Sequence, residues 1–385
     1  NLGRANDGSY YETQNYAITE SHEPGSTFKL VDLIAVLDDK KADTSTVYDS
    51  KGGRIEYYGR SVKDSNGKGY GKISLARGFE LSSNTVLVQS VYDSYKNNPK
   101  QFVDRINSYG LNKPLGLPIK GEGKPVIPQP GTNRWSGVAL PWMAFGYGLS
   151  VTPLQTLTLY NAVANDGVMV KPIFVSEIKE WNKTIKKYNT EVINPKICSQ
   201  ETLDKVQAVL ENVVKRGTGS KLYSKDFSMA GKTGTAQVNY KDKSKLYYAS
   251  SFVGYFPADE PKYSCIIVVH KPNVAAGYYG ADVAGPVFKR IAQKIFTDSP
   301  STNHVKNIDA KVVSQEKNYS EYYKKVEKEE RIVPNVKGMD GMDAVALLEN
   351  LGLKVKVIGV GRVKKQSLTS GQAFNKNQTI IIELS

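Results

Sequence analysis

Two apolar runs, YYASSFVGYF (Tyr247–Phe256) and YSCIIVVHKP (Tyr263–Pro272), are separated only by the residues PADEPK. Both are rich in β-branched and aromatic residues, and the Pro/Asp punctuation between them marks a turn. A connection that short can join two strands only antiparallel, because a parallel pair needs a crossover of a dozen or more residues. A third run just upstream, MAGKTGTAQV (Met229–Val238), also reads as a strand. The earlier part of the chain carries helical patterns instead. Helices first and an antiparallel sheet late make this an α+β chain.

The helical segments have local start and stop signals. Pro24 and Gly25 precede a helix expected over Ser26–Asp38, with Leu30, Leu33, Ile34 and Leu37 on one face. LSSNTVLVQSVYDSYKNN (Leu81–Asn98) reads as a second helix entered through Ser82 and Ser83. A third has Thr152 as N-cap, Pro153 at its first position and Gly167 at its stop. GPVFKRIAQKIF (Gly285–Phe296) is expected to close the domain as a helix.

The 385 residues fall into three parts. Residues 1–297 form the α+β domain. Residues 298–330 are polar and charge-dense and read as a linker, with a solvated helix expected near its end. Residues 331–385 form a small αβ module, in which MDAVALLENLG makes a helix capped at Gly352 and LKVKVIGV and TIIIELS make strands. The net charge of +14 would favour acidic partners, but the lysines are scattered rather than interleaved with aromatics, so no nucleic-acid partner is expected. Cys198 and Cys265 lack metal-ligand or pairing spacing. No run is long and apolar enough to span a bilayer. Asn1 is not a natural start, so the chain is expected to derive from a longer protein.

A serine is a poor nucleophile unless a neighbour takes its proton. The histidines, His22, His270 and His304, carry no local triad signature and read as structural or solvated. A lysine can replace histidine if burial or nearby positive charge lowers its pKa. Ser26 and Lys29, three apart at a helix entry, would lie one turn apart, and the helix N-terminus would favour negative charge developing on the serine oxygen. S-x-x-K occurs four times here, at Ser26, Ser65, Ser176 and Ser314, so alone it reads as an ordinary helix entry. Two further elements raise Ser26. Ser82-Ser83-Asn84 offers a hydroxyl and an amide at another helix start. Lys232-Thr233-Gly234-Thr235, unique in the chain, lies on an expected strand. There Gly234 would admit a ligand close to the backbone, and Lys232 and the threonine hydroxyls could hold a carboxylate.

The ordered triplet S-x-x-K, S-x-N, K-T-G resembles that of the penicillin-recognising serine transferases and hydrolases. EPGSTFK, LSSN, FGYGLSVTPLQ, GTG (Gly217–Gly219), AGKTGTAQ and SFVGYFPADEP look like the transpeptidase domain of a class B penicillin-binding protein, over residues 1 to 297. VPNVKGMD and IIIELS resemble the entry and exit of a PASTA domain. The resemblance implies that Ser26 attacks the penultimate D-alanine carbonyl of a peptidoglycan stem peptide and that Lys29 takes its proton. Ser82 would relay a proton to the leaving group, and Asn84 would contact the substrate amide and fix Lys29. Lys232, Thr233 and Thr235 would bind the terminal carboxylate, and the Ser26 and Thr235 N–H groups would form the oxyanion hole. No metal or organic cofactor is implied. The implied partners are stem peptides, β-lactams, and glycan-polymerising and divisome proteins in the membrane. The implied place is outside the cytoplasm, anchored by an N-terminal helix not in this chain.

A D,D-carboxypeptidase, or a muropeptide or β-lactam sensor without turnover, are the alternatives; the E-x-x-L-N stretch of the common serine β-lactamases is not found. Class B members with a PASTA domain are expected in septal or sporulation roles. An apolar strand that the family carries just before the NLGRANDG region is missing; either the protein extends further upstream, which is the expected case, or the sheet is short of a strand. Trp135 and Trp142 are expected to line the approach to the site.

Overall fold

The computed structural model describes residues 2–298 except Thr13, Asn182, Lys241, Lys243 and Ala276, and residues 331–385. The expected linker and its solvated helix, together with His304, lie outside the described residues, apart from Asp298 at the linker's start. The chain divides into two compact units, Asn1–Pro300 and Ser301–Ser385.

In the first unit the late strands form one antiparallel sheet of three, β1 (Ala230–Val238), β2 (Tyr247–Phe256) and β3 (Tyr263–His270), in that order. Ala230 faces Tyr255 across β1–β2, and Phe256 faces Tyr263 across β2–β3. The central strand is covered on both faces, which is why its sequence is apolar almost without alternation. Val253 and Tyr255 join the larger core of helices. Phe252 and Phe256 point the other way, onto Phe288, with ring centroids 4.7 and 5.5 Å away. β1 lies at the edge of this sheet.

The helices are α1 (Lys29–Asp38), α2 (Leu75–Glu80), α3 (Asn84–Tyr95), α4 (Pro99–Ser108), α5 (Pro153–Ala164), α6 (Gln200–Arg216) and α7 (Gly280–Asp298), besides shorter turns. α1, α3, α5 and α6 meet in the larger core through Leu30, Leu33, Val86, Leu87, Leu159, Val206 and Leu210. α5 starts with a complete capping box: Gln155 N–H donates to Thr152 Oγ1 at 3.2 Å, and Thr152 N–H donates to Gln155 Oε1 at 3.0 Å. It ends earlier than expected. Asp166 takes the left-handed conformation (φ 50°), and Gly167 N–H returns to Ala162 O at 2.8 Å. α7 begins five residues before the expected Gly285, because Gly280 N–H is taken up by Thr235 Oγ1 at 3.1 Å and Asp282 N–H by Tyr279 O. α6 was not expected, although Ser199 caps it and Leu203, Val206, Leu210 and Val213 recur at helical spacing.

The second unit has α8 (Gly341–Asn350) and strands β4 (Lys354–Ile358), β5 (Val363–Gln366) and β6 (Thr379–Leu384). The order is β4-β6-β5, with β4 parallel and β5 antiparallel to β6. Asp340 caps α8, and Gly352 takes φ 90° just past its end, as its position suggested. Ile380 and Ile382 enter a small core with Val333, Val336, Leu347 and Leu348. β5 had no sequence signal, since its lysines mask the alternation.

Candidate active site

Ser26 occupies a 3₁₀ turn, Gly25–Phe28, that runs straight into α1. The expected helix therefore begins with a tighter turn, whose Ser26 O accepts the Lys29 N–H. Gly25 is left-handed (φ 57°), and its N–H donates to Gly146 O at 3.1 Å. Gly146 is left-handed too (φ 81°), and a Cβ there would collide with Gly25 O. On the other side, a Cβ on Gly234 would collide with Ser251 Oγ and reach within 2.8 Å of Thr27 Cγ2. The Ser26 turn is thus wedged between the FGYG loop and β1, and glycine at these contacts is what allows the approach. Tyr160 from α5 fixes it from below, donating to Thr27 O at 2.9 Å.

Lys29, the first residue of α1, is fully buried. Its Nζ donates to Ser82 O at 2.8 Å, Ser82 Oγ at 3.2 Å and Asn84 Oδ1 at 2.6 Å. Ser82 is left-handed (φ 56°), a conformation a non-glycine residue adopts only where its surroundings impose it. That turn presents its carbonyl to Lys29. Ser83, not Ser82, caps α3, donating no helix bond but accepting from Val86 N–H at 3.2 Å. Asp64 binds the same turn: it accepts from Ser83 Oγ, from Thr85 N–H at 3.0 Å and from Thr85 Oγ1 at 2.9 Å. Asn84 Nδ2 donates to Lys63 O at 2.7 Å. Burial pushes Lys29 from an ordinary 10.5 down to about 7, against the pull of Asp64 and Asp32. A lysine so placed is half deprotonated near neutrality and can act as a base.

Lys232 is also fully buried, and burial, then the Lys29 charge, holds it well below the usual lysine range. Its Nζ donates to Thr233 O at 3.1 Å and lies 5.6 Å from the centroid of Phe79. Thr233 Oγ1 meets Thr218 Oγ1 at 2.8 Å. Thr218 is held by its own N–H on Glu80 O at 2.9 Å, and the buried Glu80 carboxylate grips Arg77 and Arg216. Thr235 Oγ1 accepts from Gly280 N–H and keeps its own hydroxyl proton.

All three motifs therefore lie along one locus. Lys29, Ser82 and Asn84 are directly bonded, Gly234 packs on the Ser26 turn, and Lys232 with Thr233 faces Phe79 and the GTG loop. Ser26 Oγ makes no hydrogen bond among the described residues, to Lys29 or to any other group. Trp135 and Trp142 pack against the larger core, Trp142 on Phe145 with centroids 5.6 Å apart. His22, half-buried, lies edge-on to His270; burial of its ring, then the His270 charge, pushes it down to about 4. Sequence reasoning gave no role to Asp64, Glu80 or Thr218. Asp64 and Glu80 have no local signal, and Thr218, although within the GTG segment, is defined by Thr233 and Glu80.

Residues 3–293 match the family profile described as "Penicillin binding protein transpeptidase domain", and residues 331–385 match "PASTA domain". The chain is 29% identical to "Stage V sporulation protein D" of Bacillus subtilis, over 98% of this chain and 56% of that protein. It is 29% identical to "Peptidoglycan D,D-transpeptidase FtsI" of Escherichia coli, over 72% of this chain and 44% of that one. It thus spans about half the length of these relatives. Penicillin-binding protein 3 of Mycobacterium tuberculosis superposes with a TM-score of 0.66 at 27% identity, covering 75% of this chain and 66% of that one. The same protein has been solved with aztreonam, matching with a TM-score of 0.65 at 27% identity over 75% of this chain and 65% of that one.

Proposed function

This chain belongs to the penicillin-binding protein transpeptidase family and carries a PASTA domain; from that premise we propose that it is a peptidoglycan D,D-transpeptidase working through a Ser26 acyl-enzyme. The observation that carries this reading is the buried Lys29 amine, three residues on from Ser26 where the turn enters α1 and held by Ser82 and Asn84, with burial lowering its pKa to about 7.

Ser26 Oγ attacks the carbonyl carbon of the penultimate D-alanine as its proton passes to Lys29 Nζ. The tetrahedral oxyanion is met by the Ser26 and Thr235 N–H groups. The C–N bond breaks, and a proton relayed through Ser82 leaves with the terminal D-alanine as its amine. Lys232, Thr233 and Thr235 hold the terminal carboxylate. Lys232 does so best if the arriving carboxylate restores its proton, since an opposite charge favours the ammonium form. An amine from a second stem peptide then attacks the acyl carbon, forming the cross-link and returning the proton to Ser26. A β-lactam enters by the same first step, its ring amide opening to leave a stable ester.

In this reading residues 1–297 are the catalytic domain, 298–330 a linker and 331–385 a bracing or partner-binding module. The protein works outside the cytoplasm in septal wall synthesis, anchored to the membrane beside a glycan-polymerising partner. The relatives named as a peptidoglycan D,D-transpeptidase and as a sporulation protein support a role in wall synthesis. Among the described residues no helix is long and apolar enough to cross a membrane.

Intact-protein mass spectrometry after incubation with a β-lactam tests the mechanism. One long-lived adduct, lost in Ser26→Ala, is expected. Rapid release of the adduct would make the protein a hydrolase, and an adduct that survives in folded Ser26→Ala would refute the assignment of the nucleophile.

A further inference from the structure

Asp32 stands one turn beyond Lys29 on α1 and is fully buried. Neither of its carboxylate oxygens has a hydrogen-bond partner among the described residues. An ionisable group in that state is costly, and buried polar atoms are otherwise nearly always paired. A leucine would pack at this helix position without the cost, so the carboxyl calls for a functional account.

The charged and titratable groups around it come from four elements. Burial raises the Asp32 carboxyl well above the usual carboxylate range, and Lys29, on its own helix, pulls it the other way; Asp32 in turn favours the Lys29 ammonium. Tyr160 from α5 feels the Asp32 charge, but its hydroxyl is already spent on Thr27 O. Tyr255 from β2 is buried with its hydroxyl unpartnered, and interacts with Tyr160. Asp64 also acts on Lys29, yet its oxygens are committed to Ser83 and Thr85. Lys232 from β1 and Lys29 are like charges in one buried region. Two lysines therefore face two aspartates, and Asp32 is the one of the four with no hydrogen bond. Lys29 is the group that favours its charged form against burial.

We propose that Asp32 is a positioning residue for the acylation step, its carboxylate supporting the ammonium that forms on Lys29 when Ser26 gives up its proton. It touches no substrate. It offsets part of what burial takes from the basicity of Lys29, so that the amine is free near neutrality and still strong enough to accept a proton. The proposal rests on the reading of Lys29 as the base.

The test is the pH dependence of the acylation rate with a chromogenic β-lactam, in wild type and in Asp32→Asn. Removing the carboxylate should lower the Lys29 pKa, moving the acid limb of the profile down by about one pH unit. The plateau rate should fall as well, because a weaker base accepts the proton less readily. Asp32→Thr, neutral and smaller, should move the limb in the same direction. Packing changes alone would alter the plateau but leave the limb where it was. A limb present in wild type and unmoved in folded Asp32→Asn and Asp32→Thr overturns the Asp32 assignment and leaves Lys29 as the base. A wild-type profile with no such limb, together with undiminished acylation by Lys29→Met, removes the base reading and the Asp32 assignment with it.

Discussion

Replacing Lys29 by Met should abolish acylation and also stabilise the fold, by an amount that depends on pH in one direction. Burial depresses the native pKa to about 7, whereas in the unfolded chain the side chain titrates at its ordinary 10.5. Between these values the unfolded chain holds a proton that the native state does not, so native stability rises with pH across the window. The penalty of carrying Lys29 is therefore full below about pH 7 and gone above about pH 10.5. At about 1.4 kcal/mol per unit, the shift corresponds to about 5 kcal/mol, and because the side chain is fully buried no solvent screening reduces it. Met matches the length and volume without titrating. It leaves the acceptors of Ser82 and Asn84 without their lysine donor, a cost of about 1–3 kcal/mol that does not vary across the window. Lys232, relieved of a like charge, moves the difference in the same direction. Urea unfolding of both proteins at matched pH, followed by tryptophan fluorescence, measures the difference directly. The stability of Lys29→Met relative to wild type should climb by about 4–5 kcal/mol from pH 10.5 to pH 7 and then level off. A flat difference across that range would mean that native Lys29 keeps its ammonium, and the case for it as a neutral base would fall.

Other expectations follow from the packing around the site. Gly234→Ala forces a methyl into Ser251 Oγ and toward Thr27, so acylation should drop by roughly 100-fold while far-UV circular dichroism is unchanged; wild-type acylation rates would contradict the wedge. The double variant Arg77→Ala/Arg216→Ala strands the buried Glu80 carboxylate and should cost about 3 kcal/mol or more in urea unfolding, with Glu80→Gln in that background recovering part of it. Thr152→Ala removes the capping box of α5 and should cost about 1 kcal/mol, read as a lower melting temperature; an unchanged one would assign the helix start to packing alone.

Much of this architecture was legible in the sequence because its signals are local. The β2–β3 hairpin follows from two apolar runs and a short Pro/Asp turn, and α5 from Thr152, Pro153 and Gln155 within four residues. α6 was legible too, through Ser199 and its apolar spacing, and was overlooked. The side chains of the three motifs could be named, but not their states. Lys29 reaches Ser82 and Asn84 across more than fifty residues of chain, and the left-handed Ser82 that turns its carbonyl to Lys29 has no marker in the residues beside it. Asp64, Glu80 and Thr218 acquire their roles only from partners that the fold brings to them. By itself the sequence determined most of the helices, the strands of the central sheet and which residue types stand at the site, since propensity, periodicity and capping act within a few residues. Only the tertiary structure decided that Lys29, Asp32 and Lys232 are stripped of water in one place, because desolvation depends on everything that packs around a group and not on its neighbours in the chain.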